Sequence, residues 1–132
     1  MHEGPMQAKS RQSKGLGGEG EDLAVEYLCL HGFKIVARNV RYKVGEIDVI
    51  AKRGEELHFI EVKSRSNGSL ISPLEAVTPA KIKKLKRAAQ MYLLDRRNRF
   101  KESKLPPCIF SVIGINYVGG EPQIECVLDA FA

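Results

Sequence analysis

"VGEIDVIAKRGEELHFIEVKSR", running from Val44 to Arg65, decides how the chain folds. Two alternating apolar stretches, Ile47 to Ala51 and Leu57 to Val62, flank the polar turn RGEE. Alternation with a period of two marks strands, and a short polar turn between two such runs marks a hairpin. Gly54-Glu55 reads as a two-residue loop, with Gly at the first position as a type II′ turn requires. Arg53 then faces Glu56, and facing residue numbers sum to 109. In that register Ile50 faces Phe59, Asp48 faces Glu61 and Glu46 faces Lys63, all on one side of the pair.

Like charges directly opposite each other destabilise a strand pair. When partly buried, one of two facing carboxylates takes up a proton, or both bind a cation. Hard divalent ions such as Mg²⁺ or Mn²⁺ prefer oxygen ligands of this kind. Lys63, two residues beyond Glu61, can offer its ammonium to a phosphate or to a nucleophilic water. Any one of these charges alone is ordinary strand surface. The set, an Asp followed by Glu-x-Lys over the apolar floor of Ile50 and Phe59, points to chemistry. It depends on the register, because a slip of one residue moves every side chain to the other face.

Upstream, "FKIVARNVRY" is a β-rich run, preceded by the helical "GEDLAVEYLCLHG". Ala24, Tyr27, Leu28 and Cys29 lie at helical spacing there, and Gly32 supplies a stop. Glu21 shares the apolar face at the start of this helix, where a carboxylate also suits the helix dipole. Downstream, "SNGSLISP" reads as a flexible loop and Thr78-Pro79 as a helix start, with Thr as N-cap and Pro in the first turn. Ile82, Leu85, Ala89, Tyr92 and Leu93 form the apolar stripe of that helix. "CIFSVIGINYV" and "QIECVLDAF" are two further strands joined at Gly119-Gly120. The order is α-β-β-β-α-β-β. The second helix has the length of a crossover that makes the fourth strand parallel to a neighbour. The expected fold class is α/β (α+β), with a mixed central sheet flanked by helices.

The chain has 132 residues, 43% of them hydrophobic, enough for one domain with a real core. Residues 1–19 are expected to form a mobile polar arm and 20–132 a single domain. Cys29, Cys108 and Cys126 show no CxxC spacing and read as small buried hydrophobes in a reducing compartment. No apolar run is long enough to span a bilayer and the N-terminus has no signal-peptide core, so a soluble, cytoplasmic protein is expected.

The net charge of +5 is unevenly spread. Ten basic residues lie between Pro79 and Lys104 against two acids, a local +8 that leaves −3 for the rest. Such a patch suits a polyanion. Lys81, Lys84 and Arg87 lie near one face of the second helix and are the expected phosphate contacts, with Arg41 and Arg65 on the strands. No segment reads as a base-sequence reader, so recognition by nucleic-acid structure is expected over recognition by sequence.

"GEDLAVEYL", "ARNVRYKVGEIDVIA", "FIEVKSR" and "PLEAVTPAKIKKL" together resemble the PD-(D/E)XK nuclease superfamily, and within it the YraN-like family of small bacterial proteins. The resemblance covers Gly20 to Val118. It implies a restriction-endonuclease-like α-β-β-β-α-β core and a Mg²⁺- or Mn²⁺-dependent endonuclease acting on DNA, with Holliday-junction resolvases as the nearest analogy. Asp48 matches the first acid of the motif, and Glu61 and Lys63 its Glu-x-Lys. Glu21 matches a helix glutamate that helps hold the metal in related nucleases, and the carbonyl of Val62 holds the place of a frequent main-chain ligand. Glu46 belongs to the matched "GEID". A homodimer is expected by the same analogy, with the last strand offering an unpaired edge. The fourth strand departs from the family: "RFDV" is usual, and here Ile109 to Val112 reads "IFSV", with Ile109 and Ser111 where an Arg and an acid are common. A catalytically silent binding module and a ribonuclease are the alternatives this leaves.

Overall fold

A computed structural model describes residues 15–65 and 72–131. Residues 1–14 of the expected arm and 66–71 of the expected loop lie outside the described residues. Helix α1 (Gly15–Leu30) begins inside the segment read as an arm. Strands β1 (Lys34–Tyr42), β2 (Gly45–Arg53) and β3 (Glu56–Arg65) follow, then the short helix α2 (Pro73–Ala76), helix α3 (Pro79–Leu94), and strands β4 (Cys108–Val118) and β5 (Glu121–Val127). The five strands form one sheet in the order β1-β2-β3-β4-β5. β3 and β4 run parallel and the other neighbours antiparallel. This mixed sheet with helices is α+β and fits a restriction-endonuclease-like core, with α3 carrying the crossover between the parallel strands.

Local chemistry sets most boundaries. α1 ends where Gly32 takes φ +85, with Phe33 N–H donating to Leu28 O at 3.0 Å and Gly32 N–H to Cys29 O at 3.3 Å. That is the Schellman pattern, and its hydrophobic pair, Leu28 and Phe33, is buried in one cluster. α3 starts as expected: Thr78 Oγ1 accepts the Lys81 N–H at 3.2 Å, with Pro79 in the first turn. α2 is an unexpected element. Ser72 and Glu75 close a reciprocal capping box around it. At the far end of α3, Tyr42 donates to Asp95 Oδ2 at 3.1 Å, tying the helix end to β1.

The sheet separates two cores. On the α3 side Ile50, Leu57, Phe59 and Val112 pack with Leu85, Ala88, Ala89 and Tyr92. On the α1 side Val49, Ala51, Ile60, Ile113 and Ile115 pack with Ala24 and Leu28. Alternate residues of β3 feed the two cores, as a strand buried on both faces must. Cys29 corrects an expectation: it is exposed, while Cys108 and Cys126 are half-buried. None of the helices among the described residues is long and apolar enough to cross a membrane.

Candidate functional site

The hairpin register holds from Arg53 opposite Glu56 to Val49 opposite Ile60, so facing numbers sum to 109 as the turn predicts. The ladder stops there. β2 continues beside β1, with Val40 opposite Ile47 and Tyr42 opposite Gly45. β3 continues beside β4 to Arg65 opposite Asn116. Beyond Val49 and Ile60 the two strands part, and the expected face-to-face pairs Asp48/Glu61 and Glu46/Lys63 are not rungs of the ladder. The reason is tertiary. The start of β2 lies so close to α3 that a Cβ on Gly45 would sit 2.6 Å from the Lys84 carbonyl oxygen. Only glycine fits that approach.

A second irregularity falls at the same level. On β1, Arg38 turns towards α1 and donates to Asp22 Oδ1 at 2.9 Å, yet Val40 packs into the α3-side core. On β2, Val49 belongs to the α1-side core and Ile47 to the α3-side core. The alternation thus slips by one residue on both strands, at Asn39 and Asp48. Asn39 carries the slip with φ +52, a conformation asparagine tolerates better than most residues.

The gap left by the parting strands gathers the chemistry. The Val62 N–H, deprived of a strand partner on β2, donates to Asp48 Oδ2 at 2.8 Å. Glu61 is buried, with its side chain 4% exposed. Lys63 Nζ and Lys81 Nζ each stand 3.8 Å from Glu61 Oε2, one from β3 and one from α3. Burial pushes the Glu61 carboxyl up to about 7, helped by the Asp48 charge and opposed by Lys81 and Lys63. Burial also raises Asp48, against the Val62 N–H and Lys81. Glu21, at the start of the buried part of α1, is raised to about 7 by burial and then by Asp48. Arg38, 3.9 Å away, and a hydrogen bond from Asn39 oppose that rise. Glu21 therefore joins the pair through Asp48.

These residues fit a hard divalent cation by the chemistry of their donors. Glu61 Oε1 and Glu21 Oε1 are buried and have no hydrogen-bond partner. Buried polar oxygens are rarely left so, and both carboxyls resist ionisation because they are buried and face the Asp48 charge. Among the described residues no three His, Cys, Asp or Glu side chains enclose an ion by themselves. Mg²⁺ does not require that, because it keeps several waters and takes one or two carboxylates together with substrate phosphate.

The expected phosphate contacts are more dispersed. Lys84 and Arg87 are exposed on α3, and Arg41 is exposed on β1 opposite Glu46. Arg65 is half-buried at the end of β3. Arg87 lines a groove of about 410 Å³ with Lys83, Lys86 and the apolar Phe59, Leu93 and Phe110. Lys81 departs from the expected row with Lys84 and Arg87 and turns in to Glu61. Sequence reasoning missed Arg38, Asn39 and this placement of Lys81. An Asn inside a β-rich run was the one available signal of a slip in β1. In the fourth strand, Ser111 is fully buried and its Oγ accepts the Asp129 N–H at 3.2 Å. It anchors the segment after β5, whose Phe131 enters the α3-side core.

Residues 20–115 match the model of a family described as "Uncharacterised protein family UPF0102". A UPF0102 protein of Geobacter metallireducens is 42% identical over 123 residues, 92% of this chain and 96% of that protein. One from Symbiobacterium thermophilum is 41% identical over 88% of this chain and 93% of its own length. One from Chlorobium limicola is 47% identical over 76% of this chain and 74% of its own length.

Proposed function

The chain belongs to the UPF0102 (YraN) family, and from that premise and the geometry of its site we propose that it is a metal-dependent endonuclease hydrolysing phosphodiester bonds in DNA, selective for branched or junction structures. The observation that carries the reading is the parting of β2 and β3, which brings Asp48, Glu61, Val62 and Lys63 into one gap. Two buried carboxylates with unsatisfied oxygens are costly unless a cation or a proton joins them.

In this reading Asp48, Glu61 and the Val62 carbonyl hold Mg²⁺ or Mn²⁺, and Glu21 reaches it directly or through a water. When bound, the cation lowers the pKa of a water and neutralises charge on the scissile phosphate. Lys63 orients the attacking water and offsets the negative charge that grows on the phosphate in the transition state. Val62 N–H fixes the Asp48 carboxylate against rotation. Lys84, Arg87, Arg41 and Arg65 hold the flanking phosphates, which sets register without reading bases. A role in DNA repair or recombination follows from junction selectivity, and a dimer cutting two strands would suit it.

Cleavage of junction, flap and linear DNA by the purified protein with Mg²⁺ or Mn²⁺, beside Asp48→Ala and Lys63→Ala, tests the proposal. Divalent-dependent cutting by the wild type alone supports it. DNA binding without cutting by any of the three replaces it with a binding module, which the Ile109 and Ser111 departure in β4 would favour. Cutting confined to RNA makes the protein a ribonuclease.

A further inference from the structure

We propose that Lys81 is a second phosphate-binding lysine of this centre, held on Glu61 until a divalent cation and a phosphodiester replace that contact. The inference rests on the nuclease reading of the site and gives Lys81 a task that the Asp and Glu-x-Lys pattern does not contain.

Two features carry it. First, Lys81 is placed by construction. Its own N–H is held by the Thr78 cap at 3.2 Å, and Pro79 pre-sets the turn, so the stem of Lys81 leaves α3 from a fixed point beside the gap. Second, Lys81 duplicates Lys63. The two ammonium groups come from different elements, stand at the same 3.8 Å from the same Glu61 oxygen, and are both 36% exposed. At 3.8 Å neither makes a hydrogen bond. An ion pair to a buried carboxylate without hydrogen bonds contributes little to stability, because desolvation offsets the attraction. Both heads are exposed enough to pivot towards a ligand entering the gap.

Charge balance then states what Lys81 does. When both are ionised, Asp48 and Glu61 offset the two lysines beside Glu61, Lys63 and Lys81. A divalent ion on the carboxylates competes with both lysines for them and leaves two positive charges in surplus. The phosphodiester brings one negative charge, and its transition state one more. Lys63 serves the attacking water. Lys81, approaching from the helix side, is left to hold a phosphate oxygen.

This predicts effects of opposite sign in one variant. Lys81→Met keeps the apolar stem and removes the charge; Lys81→Arg keeps the charge. Mn²⁺ binding is measured by calorimetry without DNA, and junction-DNA binding is measured with and without Ca²⁺, which occupies such sites without requiring turnover. Removing a unit charge a few ångströms from a divalent ion should tighten Mn²⁺ binding about tenfold in Lys81→Met. The gain in DNA affinity that Ca²⁺ gives the wild type should fall about tenfold in Lys81→Met and return with Lys81→Arg. If folded Lys81→Met binds Mn²⁺ no more tightly than wild type, or keeps the full Ca²⁺-linked gain, the assignment is overturned. Cleavage is scored separately. A wild type that cuts nothing but shows both Lys81→Met effects overturns the nuclease reading and leaves Lys81 as a phosphate ligand.

Discussion

The main-chain N–H of Val62 donates to Asp48 Oδ2 at 2.8 Å, across the point where β2 and β3 cease to pair. One bond thus replaces a rung of the sheet with a side chain. It fixes an acid of the site to the strand that carries Glu61, and it ties the integrity of the sheet to the chemistry of the gap.

Asp48→Ala should cost stability as well as activity. It leaves the Val62 N–H without its acceptor, a loss of about 1–3 kcal/mol for a buried donor. Asp48→Asn retains an acceptor oxygen and should lose less, while cleavage disappears in both. Urea unfolding of the two variants gives the stability difference. Equal destabilisation would show that the bond contributes nothing to the fold. Both variants should also lower the pKa of Glu61 and of Glu21, since the Asp48 charge raises each, which carboxyl NMR titration reads directly.

Stability in the absence of divalent ions should fall as pH rises. Glu21 and Glu61 move from an ordinary 4.5 to about 7 in the folded chain. Below about 4.5 both states hold the protons, and nothing is lost. Between about 4.5 and about 7 the unfolded chain ionises first, so the folded state binds more protons and is progressively disfavoured. The urea midpoint of metal-free protein should therefore drop across that window, and Glu61→Gln with Glu21→Gln should flatten the curve. Mn²⁺ should restore more stability above the window than below it. A midpoint that rises through the window in metal-free buffer would contradict the burial of these carboxyls.

Ser111→Ala should weaken the fold slightly and leave cleavage unchanged. The hydroxyl holds the Asp129 N–H at 3.2 Å, beside the Ala130 N–H to Phe110 carbonyl bond at 2.7 Å. Losing it costs about 1 kcal/mol. Ser111→Asp puts a charge into a fully buried position of this chain and should destabilise it by more. A Ser111→Ala protein of full stability but lost activity would move this strand from scaffold to site.

What could be read from the sequence was local. The Gly54-Glu55 loop fixed the hairpin register, because a type II′ turn needs a positive φ at its first loop position and Gly54 has φ +61. Thr78-Pro79 and Gly32 set helix ends by caps that span four to six residues. The parallel placement of β4 followed from the length of its connection. The parting of β2 and β3 could not be read, because its causes lie in other elements: Asn39 on β1 and the Lys84 carbonyl that crowds Gly45. The same holds for Lys81. Helical spacing grouped it with Lys84 and Arg87, but a neighbouring strand end decides which way a long side chain on a first turn leans. Cys29 shows the converse: helical spacing admitted it to the apolar face, but Ala24 and Leu28 fill the core there and Cys29 is exposed.

Lys84 and Arg87 should contribute to DNA affinity through charge alone. Both are exposed on α3, and Arg87 lies on the rim of the groove over Phe59 and Phe110. Each phosphate contact releases counterions, which gives a slope of about −0.9 per contact in a plot of log affinity against log salt. The double variant Lys84→Ala with Arg87→Ala should reduce the magnitude of the slope by about 1.8. It should weaken binding to junction and linear DNA by similar factors, because phosphate contacts carry no structural preference of their own. Fluorescence anisotropy over a series of KCl concentrations measures both quantities. An unchanged slope would remove these residues from the interface. A selective loss on junctions would mean that α3 reads the branch itself, which would place the groove beside it at the crossing strands.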